Sequence, residues 1–175
     1  MDIREAHIGD APAIARVHVD SWCSTYSGIV PAEYLAQLDY GQREQNCYDR
    51  IKGKGDGQFI YLAEEVGEVV GFASAGPENS GNSTYDGELY VMYILEAHQR
   101  KGIGRHLISH LAESLRQAGI ESMLVWVLAD NPFRKFYERL GGQPVAEQCV
   151  SIGGAELKEV AYGWRDIQVL TVTDN

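Results

Sequence analysis

The spacing of apolar positions changes part-way along this chain. Between residues 10 and 52 they recur every three or four positions, the spacing of a helix face, whereas from Gln58 they come in short dense runs typical of buried strands. A short strand at Ile3-Arg4-Glu5-Ala6 precedes the helical part. Asp10 is placed to cap a first helix that accepts Pro12 near its start and carries Ile14, Val17, Ser21 and Trp22 on one face, with His18 beside them. Gly28 breaks that pattern. Pro31 suits the start of a second helix through Tyr34, Leu35 and Leu38, and a more polar third runs through Cys47 and Ile51 to the glycine cluster at Gly53, Gly55 and Gly57.

Phe59–Ala63 and Val69–Ala73 flank Glu65-Val66-Gly67-Glu68, which predicts a hairpin. A polar loop from Pro77 to Tyr85 leads into a strand over Glu88–Leu95. Ile103, Leu107, Leu111 and Leu115 then mark an amphipathic helix stopped by Gly119. Met123–Leu128 reads as a buried strand. Asn131 and Pro132 suit the first positions of a helix ending before Gly141, and two closing strands meet at Gly153-Gly154. The order predicts a mixed α/β fold with an antiparallel first half. It does not alternate regularly enough for a doubly wound nucleotide fold.

A length of 175 residues predicts one domain spanning 1–175. No apolar run reaches the roughly 18 residues that a membrane-spanning helix needs, and Met1-Asp2-Ile3-Arg4-Glu5 lacks the apolar block of a secretion signal, so the expectation is cytoplasmic with no membrane partner. The net charge of −10 repels phosphate polymers, which argues against a nucleic-acid partner, and attracts amines. Cys23, Cys47 and Cys149 are too widely spaced for a zinc site or a disulfide framework and read as reduced thiols; no metal is expected.

The segment Gln99-Arg100-Lys101-Gly102-Ile103-Gly104 lies between a strand and the first turn of a helix. Unpaired N–H groups and the positive end of the peptide dipoles favour an anion there. The two glycines permit close approach, and Arg100, Lys101 and Arg105 add charge, so the predicted ligand is a pyrophosphate. A dinucleotide fingerprint would need a third glycine where His106 or Leu107 stands, and a Walker loop would need Gly-Lys followed by Ser or Thr. A plain tight turn into the helix is the competing reading.

The run from Glu88 through Gln99-Arg100-Lys101-Gly102-Ile103-Gly104 to Leu107 resembles the signature of the GCN5-related N-acetyltransferases: Gln or Arg, two residues, Gly, any residue, then Gly or Ala. The block Asn131-Pro-Phe-Arg-Lys-Phe-Tyr-Glu-Arg-Leu-Gly-Gly142 is similar to that family's Asn…Phe-Tyr…Leu-Gly segment. Gly142 stands where an aromatic commonly follows, and Glu96-Ala97 where Pro-Glu is common.

The resemblance implies a twisted, mostly antiparallel sheet flanked by helices, and acetyl-CoA as donor. Its pyrophosphate would lie on the backbone N–H groups from Gln99 to Arg105 and its pantetheine arm along Met92, Tyr93 and Ile94, where the family's sheet is splayed by a bulge. Asn131 would also reach the arm, unless it is simply a helix cap. Glu88, 11 residues before Gln99, would be the base, working through water; its bland reading is a solvated turn residue. Tyr137 would protonate the leaving sulfur; its bland reading is a core aromatic beside Phe133, Phe136 and Leu140. His18, Trp22 and Tyr26 follow at four-residue steps and would border the acceptor pocket, or else form a core stripe. Cys23 has no basic neighbour in sequence to activate it as a nucleophile.

The expected activity is direct acetyl transfer to a primary amine of a small molecule or peptide. A non-catalytic acetyl-CoA-binding module and a nucleotide-binding regulator are the alternatives. The apolar closing strands would allow a homodimer.

Overall fold

The computed structural model describes residues 1–171. The chain runs through β1 (Asp2–Glu5), a 3-10 turn, then α1 (Ala11–Thr25), α2 (Ala32–Ala36) and α3 (Tyr40–Lys52). β2 (Phe59–Glu65), β3 (Glu68–Pro77) and β4 (Gly87–Ile94) follow, then α4 (Ile103–Gln117), β5 (Met123–Leu128), α5 (Lys135–Arg139), β6 (Gln143–Ile152) and β7 (Ala155–Trp164). The sheet order is β1-β2-β3-β4-β5-β7-β6. Every neighbouring pair is antiparallel except β4 and β5. This is the mixed α/β, mostly antiparallel arrangement that the sequence predicts.

One face of the sheet is covered by α4, whose Ile103, Leu107, Ile108, Leu111 and Leu115 are buried against Val70, Ala73, Leu89 and Val125. Burying such aliphatic side chains contributes roughly 1.5–3 kcal/mol each and holds the sheet flat against the helix. The other face carries α1 and α3: Ile14 and Val17 pack with Ile60, Leu62 and Phe72, and Cys47 and Ile51 close over them. All three cysteines are free thiols. Among the described residues no helix is long and apolar enough to cross a membrane.

Two local expectations are corrected. Asp10 makes no capping bond to α1. Its carboxylate accepts both guanidinium nitrogens of Arg4 at 2.8 Å and the His7 amide at 2.8 Å, so it ties β1 to the entry of the helix. The helix expected from Asn131 is confined to α5. Residues 132–134 form turns, because Arg134 N–H bonds to Asn131 O and Phe136 N–H to Phe133 O, three residues back, which tightens the chain below α-helical pitch. Asn131 still caps locally, its Oδ1 accepting the Phe133 amide at 2.8 Å.

The strand that organises the site is β4. Ser74 pairs with Val91 while its neighbour Ala75 pairs with Leu89, so Tyr90 is an extra residue, a β-bulge. The expected bulge lies just before Met92–Ile94 and not within it. It reverses the alternation of side chains: Leu89, Met92 and Ile94 face α4, whereas Val91 and Tyr93 face α1 and α3. The parallel pairing of β4 with β5 stops at Leu89, opposite Val125. Beyond that point the two strands separate.

Candidate active site

The loop into α4 turns through two left-handed residues, Arg100 (φ 62°) and Gly102 (φ 86°). Gly102 accommodates this without cost because it lacks Cβ. The Gln99 side chain anchors the loop by donating to Ile94 O at 3.0 Å. Gln99 N–H bonds to Glu96 O and Arg105 N–H to Gly102 O, leaving the amides of Arg100 through Gly104 without a protein partner among the described residues. Together with the dipole of α4 they form an anion cradle. Gln99 and Arg105 therefore fall out of the amide set that the resemblance implies.

A groove of about 630 Å³ runs from this cradle along β4 to α5. Of the residues singled out in the sequence, Met92, Tyr93, Ile94, Gln99, Arg100, Gly102, Ile103, Gly104, Asn131 and Tyr137 are brought together along it. A Cβ on Gly104 would stand 3.1 Å from Phe136 and 3.5 Å from Met92, so a larger residue there would press on the Phe136 ring. Lys101 is not part of the lining; its ammonium lies 4.0 Å from Glu65, the carboxylate that also bonds His98 at 2.7 Å. Lys135 and Arg139 do line the groove and were missed in the sequence, where they read as the polar face of a short helix. With Arg100 they supply the positive charge that a polyanionic ligand requires.

Where β4 and β5 separate, a second cleft of about 360 Å³ opens. Its walls carry Trp22, Tyr26, Glu88, Tyr90, Trp126 and Tyr137. Groove and cleft have Tyr26, Met92, Tyr93, Asn131 and Tyr137 in common, so they meet at the tyrosine proposed as acid. Asn131 Nδ2 donates to the Tyr26 hydroxyl at 3.1 Å across this junction. Trp126, also absent from the expected set, donates its Nε1–H to Ser80 Oγ at 3.0 Å and steadies the loop that approaches Glu88.

Glu88 is buried, 8% exposed, and burial raises its pKa above the ordinary carboxylate value, opposed by hydrogen bonds from the Asn79 and Ser80 amides. Asn79 N–H lies 3.1 Å from its Oε2. A desolvated carboxylate with a raised pKa is a stronger base than an exposed one. The Tyr137 ring packs against Phe136, Tyr162 and Trp164. Burial pushes its phenol up, so the hydroxyl remains a proton donor through neutral pH.

His18, Trp22 and Tyr26 form a continuous aromatic row, with ring centroids 6.0 and 4.8 Å apart. Trp22 and Tyr26 reach the cleft. His18 does not; its ring lies tilted against Tyr93, centroids 4.8 Å apart, and lines a hollow under α3. Burial lowers its pKa to about 3, so it is neutral at physiological pH and too weak a base for an alkylammonium.

The model of the acetyltransferase (GNAT) family matches residues 19–142, which include the anion cradle, Glu88 and Tyr137. The chain belongs to this family. It is 45% identical over 170 residues to YuaI, an uncharacterized N-acetyltransferase of Bacillus subtilis (strain 168), covering 96% of this chain and 95% of that one. It is 35% identical over 113 residues to the L-methionine sulfoximine/L-methionine sulfone acetyltransferase of Salmonella typhimurium (strain LT2), covering 62% and 60%. Among solved structures, YncA of Salmonella typhimurium with its cofactor acetyl-CoA superposes with a TM-score of 0.69 at 24% identity, covering 94% of this chain and 92% of that one.

As a member of the GNAT family the protein is an N-acetyltransferase, and its two departures from the family pattern have physical explanations. A Cβ at Gly142 would stand 2.7 Å from Trp164 Cζ2, because the Trp164 indole already fills the place of an aromatic there. The Trp164 Nε1–H bonds to Leu140 O at 2.9 Å, fixing the ring. Glu96 and Ala97 sit in a 3-10 turn, Glu96–His98, that leads into the cradle and leaves its free amides untouched.

Proposed function

We propose that this GNAT member transfers the acetyl group of acetyl-CoA directly to a primary amine of a small molecule. The observation that carries this reading is the junction of groove and cleft at Tyr137, with the buried Glu88 in the cleft wall. The groove suits the donor: the free amides of Arg100 to Gly104 would hold the pyrophosphate, Lys135 and Arg139 its further charge, and the strand Met92–Ile94 the pantetheine amides. When bound, acetyl-CoA supplies an activated thioester carbonyl.

Glu88 takes a proton from the incoming ammonium, directly or through a water, and frees the nitrogen lone pair. As the C–N bond forms and the C–S bond breaks, Tyr137 gives its phenolic proton to the departing sulfur. The surplus proton on nitrogen leaves to solvent, from which Tyr137 is reprotonated. Asn131 and Tyr26 hold the two walls together where groove and cleft meet. Trp22, Tyr26 and Trp126 give the amine an aromatic surround that attracts cations.

An acceptor of small size fits the volume of the cleft and is supported by the sulfoximine-acetylating relative. A non-catalytic acetyl-CoA module would not need both an acid and a base at the junction. The test is release of free thiol from acetyl-CoA across a panel of primary amines and amino-terminal peptides. Turnover of a small amine is the expected result. Acetyl-CoA binding with no turnover of any amine, or turnover of peptides alone, would overturn this reading.

A further inference from the structure

Beyond Glu88, on the face covered by α3, the cleft continues into a chamber of about 330 Å³. Glu88, Tyr90 and Val91 belong to both spaces, so the chamber opens beside the proposed base. A smaller hollow of about 50 Å³ extends it under α3 and shares Arg50, Ser74 and Val91 with it.

The chemistry of the chamber is the reverse of the protein's overall charge. Arg50 lines both spaces and Arg43, two helical turns earlier on the same face of α3, lines the inner one. Neither guanidinium has a hydrogen bond or ion pair with any other described residue. Arg4, Arg16 and Lys54, by contrast, all pair with acids. Arg50 is exposed and Arg43 half-buried, so both guanidinium groups are open to an anion that enters the chamber. A second, independent observation points the same way. The Ser74 hydroxyl, in a residue only 3% exposed, has no hydrogen-bond partner although it lines both spaces. His18 Nε2, in the inner hollow, is also buried and unpartnered. Buried polar atoms without partners are uncommon, and donors left open beside guanidinium groups describe an oxyanion site.

We propose that the chamber under α3 is an oxyanion subsite of the acceptor, built by Arg50, Arg43 and Ser74, so that the acceptor is an amine that also carries a carboxylate or a sulfur or phosphorus oxyanion. The inference rests on the reading of Glu88 as the base. A zwitterion then lies with its ammonium at Glu88 and its anionic group under α3, each end meeting the charge it lacks. The exposed Arg50 on a helix surface is replaceable by glutamine, a comparable helix former, without loss of the fold.

The experiment compares L-amino acids with the corresponding amino acid amides as acceptors, in the wild type and in Arg50→Gln. In the wild type, kcat/KM favours the acid over its amide by about tenfold or more, the size expected of a charge-assisted contact. Arg50→Gln removes that preference by raising KM for the acid while leaving the amide unchanged. Equal use of acid and amide by the wild type, or equal loss of both in Arg50→Gln, overturns the subsite. Glu88→Gln separates the two readings: it lowers transfer to acid and amide alike, and if it lowers neither, the fault lies with the base and not with the chamber. A binding measurement needs no turnover. With coenzyme A present, the 15N-labelled Arg50 and Arg43 Nε–H signals shift on adding L-methionine sulfone and stay in place with L-methionine amide. Unmoved signals, or equal shifts with both, overturn the proposal.

Discussion

Asn131 and Tyr26, 105 residues apart in sequence, are joined by a 3.1 Å hydrogen bond from amide to phenol where the two cavities meet. The same asparagine accepts the Phe133 amide, so one side chain fixes both the end of α1 and the turn before α5. Asn131→Ala removes both bonds, and Tyr26→Phe only one. The alanine variant is expected to lose about 1–2 kcal/mol of stability and to raise KM for acetyl-CoA several-fold, with the phenylalanine variant falling between it and wild type. Thermal melts and donor titrations check this; identical behaviour of the two variants contradicts the double anchor.

Glu88 acts as a base only when ionised, and burial raises its pKa. The transfer rate therefore climbs as pH rises through a midpoint higher than that of an ordinary glutamate. Glu88→Gln should abolish that limb and lower kcat by about 10²–10⁴-fold, the usual worth of general-base catalysis. A pH–rate profile of both proteins decides it. An unaltered acidic limb in the variant assigns the titration to another group.

Tyr137 separates cleanly into a ring that packs and a hydroxyl that reacts. Tyr137→Phe keeps the ring contacts, so the melting temperature and the KM for acetyl-CoA are expected to hold while kcat falls by about a hundredfold. A matching loss of stability would mean that the hydroxyl is structural.

The left-handed turn at Gly102 is the condition for the free amides of the cradle. Gly102→Ala places a Cβ in a conformation that costs roughly 1–2 kcal/mol. The chain is expected to relax that turn and weaken donor binding by about tenfold, read by calorimetric titration with coenzyme A. Undiminished affinity would place the pyrophosphate elsewhere.

The Arg4 guanidinium beside Asp10 holds the Asp10 carboxyl below its ordinary value. A depressed acid stabilises the fold above its unfolded-state pKa, and that contribution disappears as pH falls through the lower, folded-state value. Asp10→Asn is expected to cost about 1–3 kcal/mol at neutral pH and to narrow the stability gap to wild type at acid pH. Urea unfolding at several pH values measures both, and a pH-independent gap would refute the linkage.

The helices and strands were legible because their periods are strong: α4 presents a clean apolar stripe and β5 an unbroken apolar run. The cradle was legible because the glycine spacing at this strand-to-helix junction is accompanied by a second block, residues 131–142, that resembles the same family. The bulge at Tyr90 was not placed, since Leu89 to Ile94 offers no polar residue to mark which side chains face which layer. Lys101 and Arg105 were included for their charge, but one leans to Glu65 and the other turns its amide into the helix. The chamber under α3 was invisible because Ser74 comes from β3 whereas Arg43 and Arg50 lie on α3. On a polar helix, arginines look like ordinary solvent-facing residues.

The single surplus residue in β4 has a consequence for how this protein tolerates change. Because Tyr90 shifts the strand's phase, Glu88 lies on the same layer as Val91 and Tyr93. Excising Tyr90 would restore strict alternation and leave Glu88, Val91 and Tyr93 on one side, so it removes the local bend of the strand and not the side on which the carboxylate lies. The bulge thus offsets the odd number of steps between Glu88 and Val91, which in an unbulged strand would put the two side chains on opposite sides of the sheet.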